Sequence, residues 1–188
     1  MSFHQAIKNG LIPKRLTITD VFELQAAGVI DEREHFELID GEIVPMAAAK
    51  SSPHERMKSQ LNRALVFASP EARLFVEPTI ALTPIQTAEP DLAVWPSHIE
   101  SEDVRGPDLL LVIEVAVSSL PYDLREKAAR YAYFGVRDYW VVDAIRRTIR
   151  VHRDPGEKGY GSIEEYGAAD MVHPLLLPQV TICLDRLD

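Results

Sequence analysis

The chain has 188 residues, 46% of them hydrophobic and 26% charged, which suits one domain with its own core. A formal net charge of −9 argues against a general nucleic-acid binder, and the one cysteine, Cys183, excludes an internal disulfide and a cysteine-based zinc site. The apolar runs are too short to span a bilayer and Met1 to Gly10 lacks the apolar stretch of a signal peptide, so a cytoplasmic protein without a membrane partner is expected.

Taken in order, Thr17 or Thr19 is placed to cap a short helix that runs to Gln25–Ala27 and stops at Gly28. Phe36 to Val44 reads as a hairpin, with Asp40-Gly41 as its two-residue turn. Ser51 or Ser52 starts the next helix, with Pro53 in its first turn and Met57, Leu61, Ala64, Leu65 and Ala68 at helical spacing; Pro70 closes it. Arg73 to Leu82 is strand-like, and Asp91 to Trp95 is a short strand introduced by Pro90. A long apolar strand follows at Leu109 to Val117. Asp123 opens a helix through Phe134 that ends at Gly135. Tyr139 to Val142 and Thr148 to His152 pair as strands, a Gly-rich loop spans Pro155 to Gly161, and short strands near Met171 and Val180 to Leu184 finish the chain. These elements predict an α/β fold over residues 1–188, a mixed, curved sheet flanked by helices. Its core falls at about 17–153, with short C-terminal strands at about 163–186.

Charge is uneven along the chain. Asp123 to Arg153 holds eight basic residues against four acidic ones, and Lys50 to Arg63 holds four against one. Two solvated helix faces are the simpler reading of this, with a local basic surface as the alternative.

Glu114 is the residue that asks for an explanation. It is the one polar residue in Leu109 to Val117, a run that reads as a strand buried on both faces. A carboxylate there loses its hydration, so it must be protonated, paired or bound to a metal. Asp91 opens a neighbouring strand, and two adjacent carboxylates repel unless a proton or cation sits between them. Mg²⁺ or Mn²⁺ suits such a pair, with the backbone carbonyl of Val115 as a further oxygen ligand. Asp123, Lys127 and Tyr131 fall at i, i+4 and i+8 on one helix face. If that face meets the sheet, Lys127 reaches Glu114; the plain alternative is a surface Asp123–Lys127 pair.

Pro90-Asp91 followed by Ile113-Glu114-Val115 resembles the metal-binding half of the PD-(D/E)xK nuclease superfamily, although Ala116 stands where its lysine belongs. More specifically, the chain resembles the Uma-type putative restriction endonuclease family. The likeness runs through Phe36 to Ile43, His54, Pro90 to Val94, Ile113 to Ala116, Ser118 to Leu120, Tyr122 to Lys127, Tyr131-Ala132, Gly135-Val136 and Asp138 to Asp143. It implies a single restriction-endonuclease-like domain, Mg²⁺ dependence and cleavage of DNA. It also implies that the missing lysine has moved to the following helix, at Lys127.

Glu37 matches the family's first acidic position and is expected as an auxiliary acid, against the simpler reading of an exposed strand charge. His54 and Tyr131 are auxiliary candidates; a histidine at a helix start is commonly just surface. The serines show no nucleophile-elbow pattern, and Gly156, Gly159 and Gly161 form no phosphate loop. The reading is therefore a Mg²⁺-dependent endonuclease hydrolysing DNA phosphodiester bonds, with Asp91, Glu114, Lys127 and Glu37 as its catalytic residues. Its rivals are a non-catalytic nucleic-acid-binding or assembly domain on the same scaffold, and a purely structural homodimer.

Overall fold

The computed structural model describes residues 9–10, 15–31, 36–45, 51–68 and 72–188. Pro70 and Lys50 of the sequence reading lie outside these residues, as does the side chain of Ala68. The chain forms two compact units. One takes the described residues up to 45 together with Thr79–Glu89; the other takes those from 51 to Pro78 together with Pro90–Asp188.

The smaller unit begins with helix α1 (Ile18–Ala26). Thr17 caps it: the Thr17 Oγ1 accepts the Asp20 N–H at 3.2 Å, and the Asp20 carboxylate returns the bond to the Thr17 N–H at 2.7 Å. Strands β1 (Phe36–Ile39) and β2 (Glu42–Pro45) form the expected hairpin. Both turn residues, Asp40 and Gly41, have φ above +50°, which an Asp-Gly pair tolerates. A second hairpin joins β4 (Ile80–Thr83) to β5 (Gln86–Ala88), and the Leu38 N–H donates to Thr87 Oγ1 at 2.8 Å. Leu16, Val21, Ile30 and Leu38 make a small core of their own.

The larger unit holds helix α2 (Ser52–Ala68) and strands β3 (Ala72–Val76), β6 (Leu92–Pro96), β7 (Leu111–Ala116), β8 (Asp138–Asp143), β9 (Thr148–Gly156) and β10 (Gly159–Tyr166). They form one six-stranded sheet in the order β10-β9-β8-β7-β6-β3. Only β7 and β8 are parallel, and such a pair needs a crossover between them. A helical segment supplies it: α3 (Leu120–Tyr122), a π-helical stretch (Asp123–Lys127) and α4 (Ala128–Tyr133). Gly135, with φ +79°, ends it in the left-handed region. The mixed α/β fold expected from the sequence is what is observed.

Strand alternation gives the sheet two unlike faces. Ile113, Val115, Trp140, Val142, Ile149 and Val151 point into an apolar core closed by Met57, Leu61 and Leu65 of α2 and by the C-terminal segment. Glu114, between Ile113 and Val115, points the other way.

Three sequence expectations need correction. Arg73 to Leu82 is two strands in two sheets, because Glu77 takes a left-handed backbone at φ +52° and Pro78 follows it. The Gly-rich stretch Pro155 to Gly161 is no loop: the β9–β10 ladder continues to Gly156 opposite Gly159. The C-terminal strands shrink to one bridge, Val172 with Ile182, followed by a 3₁₀ turn at Leu184–Arg186.

Candidate metal and catalytic site

Asp91 and Glu114 come together through strand pairing. Leu92 of β6 lies opposite Ile113 of β7, and one residue further along that antiparallel register Asp91 falls beside Glu114. Asp91 Oδ2 accepts the Val115 N–H at 2.8 Å. In a strand a residue's N–H and C=O face the same edge, so the Val115 carbonyl is directed to the side where Asp91 stands. His54 of α2 brings its Nε2 to 3.1 Å from both Asp91 oxygens. The sequence reading had left His54 between surface and site; its side chain is only 12% exposed and faces Asp91.

The crossover supplies the other half. Lys127 Nζ donates to Glu114 Oε1 at 2.8 Å, and the Tyr131 hydroxyl donates to the same oxygen at 3.1 Å. Asp123 stands 4.0 Å from the Lys127 ammonium. All four residues are buried. The i, i+4, i+8 face of the helix thus meets the sheet, and the Asp123–Lys127 pair lies beneath it and not on the surface. The π-helical geometry of Asp123–Lys127 left no mark that sequence spacing could reveal; such turns recur at functional sites. Asp123 is the acid the sequence reading treated only as a helix partner. The clue was present in its spacing from Lys127. Its main-chain carbonyl also takes the buried Tyr139 hydroxyl at 2.9 Å.

Electrostatics follow from this crowding. Burial pushes the Glu114 carboxyl up to about 8; the Asp91 and Asp123 charges push the same way, and Lys127 offsets them only in part. Burial, with the nearby charges of Glu114 and Asp123, also drives the Tyr139 hydroxyl well above its ordinary range. The cluster therefore gathers three acids, Asp91, Glu114 and Asp123, around one lysine, more negative charge than that lysine would neutralise were all three ionised.

That surplus is the test of whether a metal suits the residues. Among the described residues no three His, Cys, Asp or Glu side chains converge as a ready-made metal cage. Two carboxylates with a backbone carbonyl do fit Mg²⁺ or Mn²⁺, which use few protein oxygens and fill the rest with water and substrate. A second positive centre would also favour the ionised form of Glu114, which burial and then the neighbouring acids disfavour.

Glu37 belongs to β1 of the smaller unit. It is buried, against the expectation of a plain exposed charge, and its Oε1 accepts the Glu89 N–H at 3.4 Å.

A cleft on the Glu114 face is lined by Leu124, Val141, Arg146, Arg150 and Glu165, among others. Strand register carries it outward from the site: Glu114 pairs with Val141, Val141 with Arg150, and Arg150 with Glu165.

A crystal structure from Anabaena variabilis, described as a putative nuclease belonging to DUF820, has the same fold. It superposes with a TM-score of 0.69 at 15% identity, over 90% of this chain and 96% of that one. No curated protein matches the chain. The model of the Uma2 family, described as "Putative restriction endonuclease", matches residues 19–185. With nearly its whole length matched, the chain belongs to the Uma2 family.

Proposed function

We propose that this protein is a divalent-metal-dependent endonuclease that hydrolyses DNA phosphodiester bonds. The observation that carries the proposal is Glu114: a carboxyl 4% exposed, beside Asp91, with a lysine and a tyrosine on one oxygen. Family membership and the nuclease-like fold support the same reading.

Asp91, Glu114 and the Val115 carbonyl would hold Mg²⁺ or Mn²⁺. Such an ion, when bound, acidifies water and neutralises charge on a phosphate. The chain's own groups do the rest. The Val115 N–H fixes one Asp91 oxygen, leaving the carboxylate a defined direction. Tyr131 holds Glu114 in its rotamer. Lys127 carries a positive charge into a water-poor site, where it stabilises the extra negative charge on the phosphorus oxygens as water adds. The P–O bond to the leaving oxygen then breaks; the adding water gives up one proton to solvent and the leaving oxygen takes one from solvent, so the step balances. Glu37, as an auxiliary acid, enters the proposal only through the sequence resemblance.

DNA as substrate sets a condition on binding. A protein of net charge −9 must concentrate its positive charge locally, and the cleft arginines are faced by Asp143 and Glu165. Binding is therefore weak and falls steeply with salt.

One observation favours a second reading. Lys127 already gives Glu114 an internal partner at 2.8 Å, so the scaffold can stand as a non-catalytic binding or assembly domain. Cleavage assays at low salt separate the two. Duplex, single-stranded and branched DNA are incubated with Mg²⁺ or Mn²⁺. The endonuclease reading expects cleavage that is abolished by chelator and by Asp91→Ala, Glu114→Ala and Lys127→Ala. No cleavage of any of them by folded protein supports the second reading.

A further inference from the structure

Asp91 is held from a second direction by residues that have no part in the chemistry above. Its main-chain carbonyl accepts the Glu77 N–H at 3.1 Å. Its carboxylate faces His54 Nε2, and His54 Nδ1 lies 3.1 Å from Glu55 Oε1. The same Glu55 oxygen accepts from Lys58 Nζ at 2.8 Å, and Lys58 Nζ also donates to Glu77 Oε1 at 2.5 Å. The contacts close on themselves: Asp91, His54, Glu55, Lys58, Glu77 and back to Asp91.

Two features of this ring are costly to maintain. Lys58 is 7% exposed, and a buried ammonium persists only when it is paired. Burial alone pulls its pKa down, but Glu55 and Glu77 together outweigh that and hold it above the ordinary lysine value. Glu77 sits at φ +52°, a left-handed conformation that a non-glycine residue adopts at a cost of order 1 kcal/mol or more. That bend ends β3. From it, the Glu77 N–H reaches Asp91 and its side chain reaches Lys58. A surface salt link would need neither burial nor strain.

We propose that Lys58 and Glu77 are positioning residues. Acting through the ring with His54 and Glu55, they fix the Asp91 carboxylate and so set how tightly the site binds a divalent cation. This rests on the reading that Asp91 holds a metal. Outer groups that orient a metal ligand commonly change affinity 10–100-fold when removed. Lys58 anchors the ring because it bridges Glu55 of α2 to Glu77 at the end of β3. His54 contributes from the first turn of α2, where the ring turns toward Asp91.

The test is Mn²⁺ affinity, measured by titration calorimetry on the full chain, with thermal stability recorded in parallel. Lys58→Met is expected to weaken Mn²⁺ binding at least ten-fold, with Lys58→Arg recovering most of it. Glu77→Gly separates positioning from structure. Glycine relieves the left-handed backbone and keeps the N–H that reaches Asp91, which offsets part of the lost Lys58 pairing, so the protein should stay folded while Mn²⁺ affinity falls about ten-fold. This variant stays informative even if Lys58→Met fails to fold. Wild-type affinity in a folded Glu77→Gly protein overturns the brace and leaves the metal reading intact. If wild type binds Mn²⁺ no better than Asp91→Asn, the metal reading falls and the brace with it.

Discussion

The two faces of the six-stranded sheet are built from alternate residues of the same strands, yet they follow opposite rules. On the α2 face Ile113, Val115, Trp140 and Val142 meet Met57, Leu61 and Leu65, and the buried Asp138 at the start of β8 is satisfied by the Trp140 indole N–H at 2.9 Å and by Arg153 at 3.0 Å. On the opposite face Glu114, Asp123, Lys127, Tyr131 and Tyr139 are as deeply buried, but by polar contacts. Burial by itself therefore does not distinguish a core from a site. What distinguishes them is whether the buried groups would rest more easily without one another. The apolar face gains from each contact. The polar face keeps a carboxyl at about 8 and an ammonium beside it, an arrangement that apolar residues of similar size would replace with little loss of stability.

Substitutions on each face should break the comparison in opposite ways. The largest effect is expected from Glu114→Gln: DNA cleavage falls to background while the thermal midpoint stays level or rises. A large loss of stability in this variant would show that the polar face is structural. Next, Leu61→Ala on α2 should lose about 2–5 kcal/mol in urea denaturation, the usual result of a cavity in a packed core. Its residual folded fraction should keep metal affinity near wild type. An equal loss of metal affinity would mean that the faces are not separable.

A pH series sharpens the contrast. In the unfolded chain Glu114 titrates near 4.5, and in the folded protein at about 8. Below 4.5 both states hold the proton and no difference arises. Between 4.5 and 8 the unfolded chain releases it first, so this group's contribution to stability falls as pH rises, and above 8 the loss is complete. Metal-free protein should therefore lose stability across that window, and Glu114→Gln should lose less. Identical pH profiles for the two proteins would count against the buried acid. The smallest effect belongs to the cleft. Arg146 is 79% exposed and held only loosely by Asp143, at 3.9 Å. Arg146→Ala should lower the slope of log affinity for DNA against log salt by roughly 0.9, the value of one phosphate contact, without changing Mn²⁺ affinity. An unchanged slope would remove this cleft from the DNA path.

Much of this arrangement was legible in the sequence, for identifiable reasons. An acid in an apolar strand, an acid after a proline, and a lysine at helical spacing from a tyrosine each carry a local signal, and Asp91, Glu114, Lys127 and Tyr131 were found that way. Hairpin turns and helix caps were likewise readable from Asp40-Gly41 and Thr17. What escaped reading depends on distant partners. Glu77 breaks a strand without glycine because Asp91 and Lys58 hold it there, and neither is near it in sequence. Gly156 and Gly159 look like a loop until β9 supplies the ladder that extends through them. Lys58 and Glu55 look like an ordinary surface pair at i, i+3 until Glu77, from the end of β3, takes the Lys58 ammonium as well.

Anomalous scattering from crystals soaked in Mn²⁺ tests the central claim most directly. The account predicts one peak at about 2.1 Å from oxygens of Asp91, Glu114 and the Val115 carbonyl, lost in crystals of Glu114→Gln. A well-ordered soaked crystal with no peak at these residues, or one whose peak persists in Glu114→Gln, would contradict it.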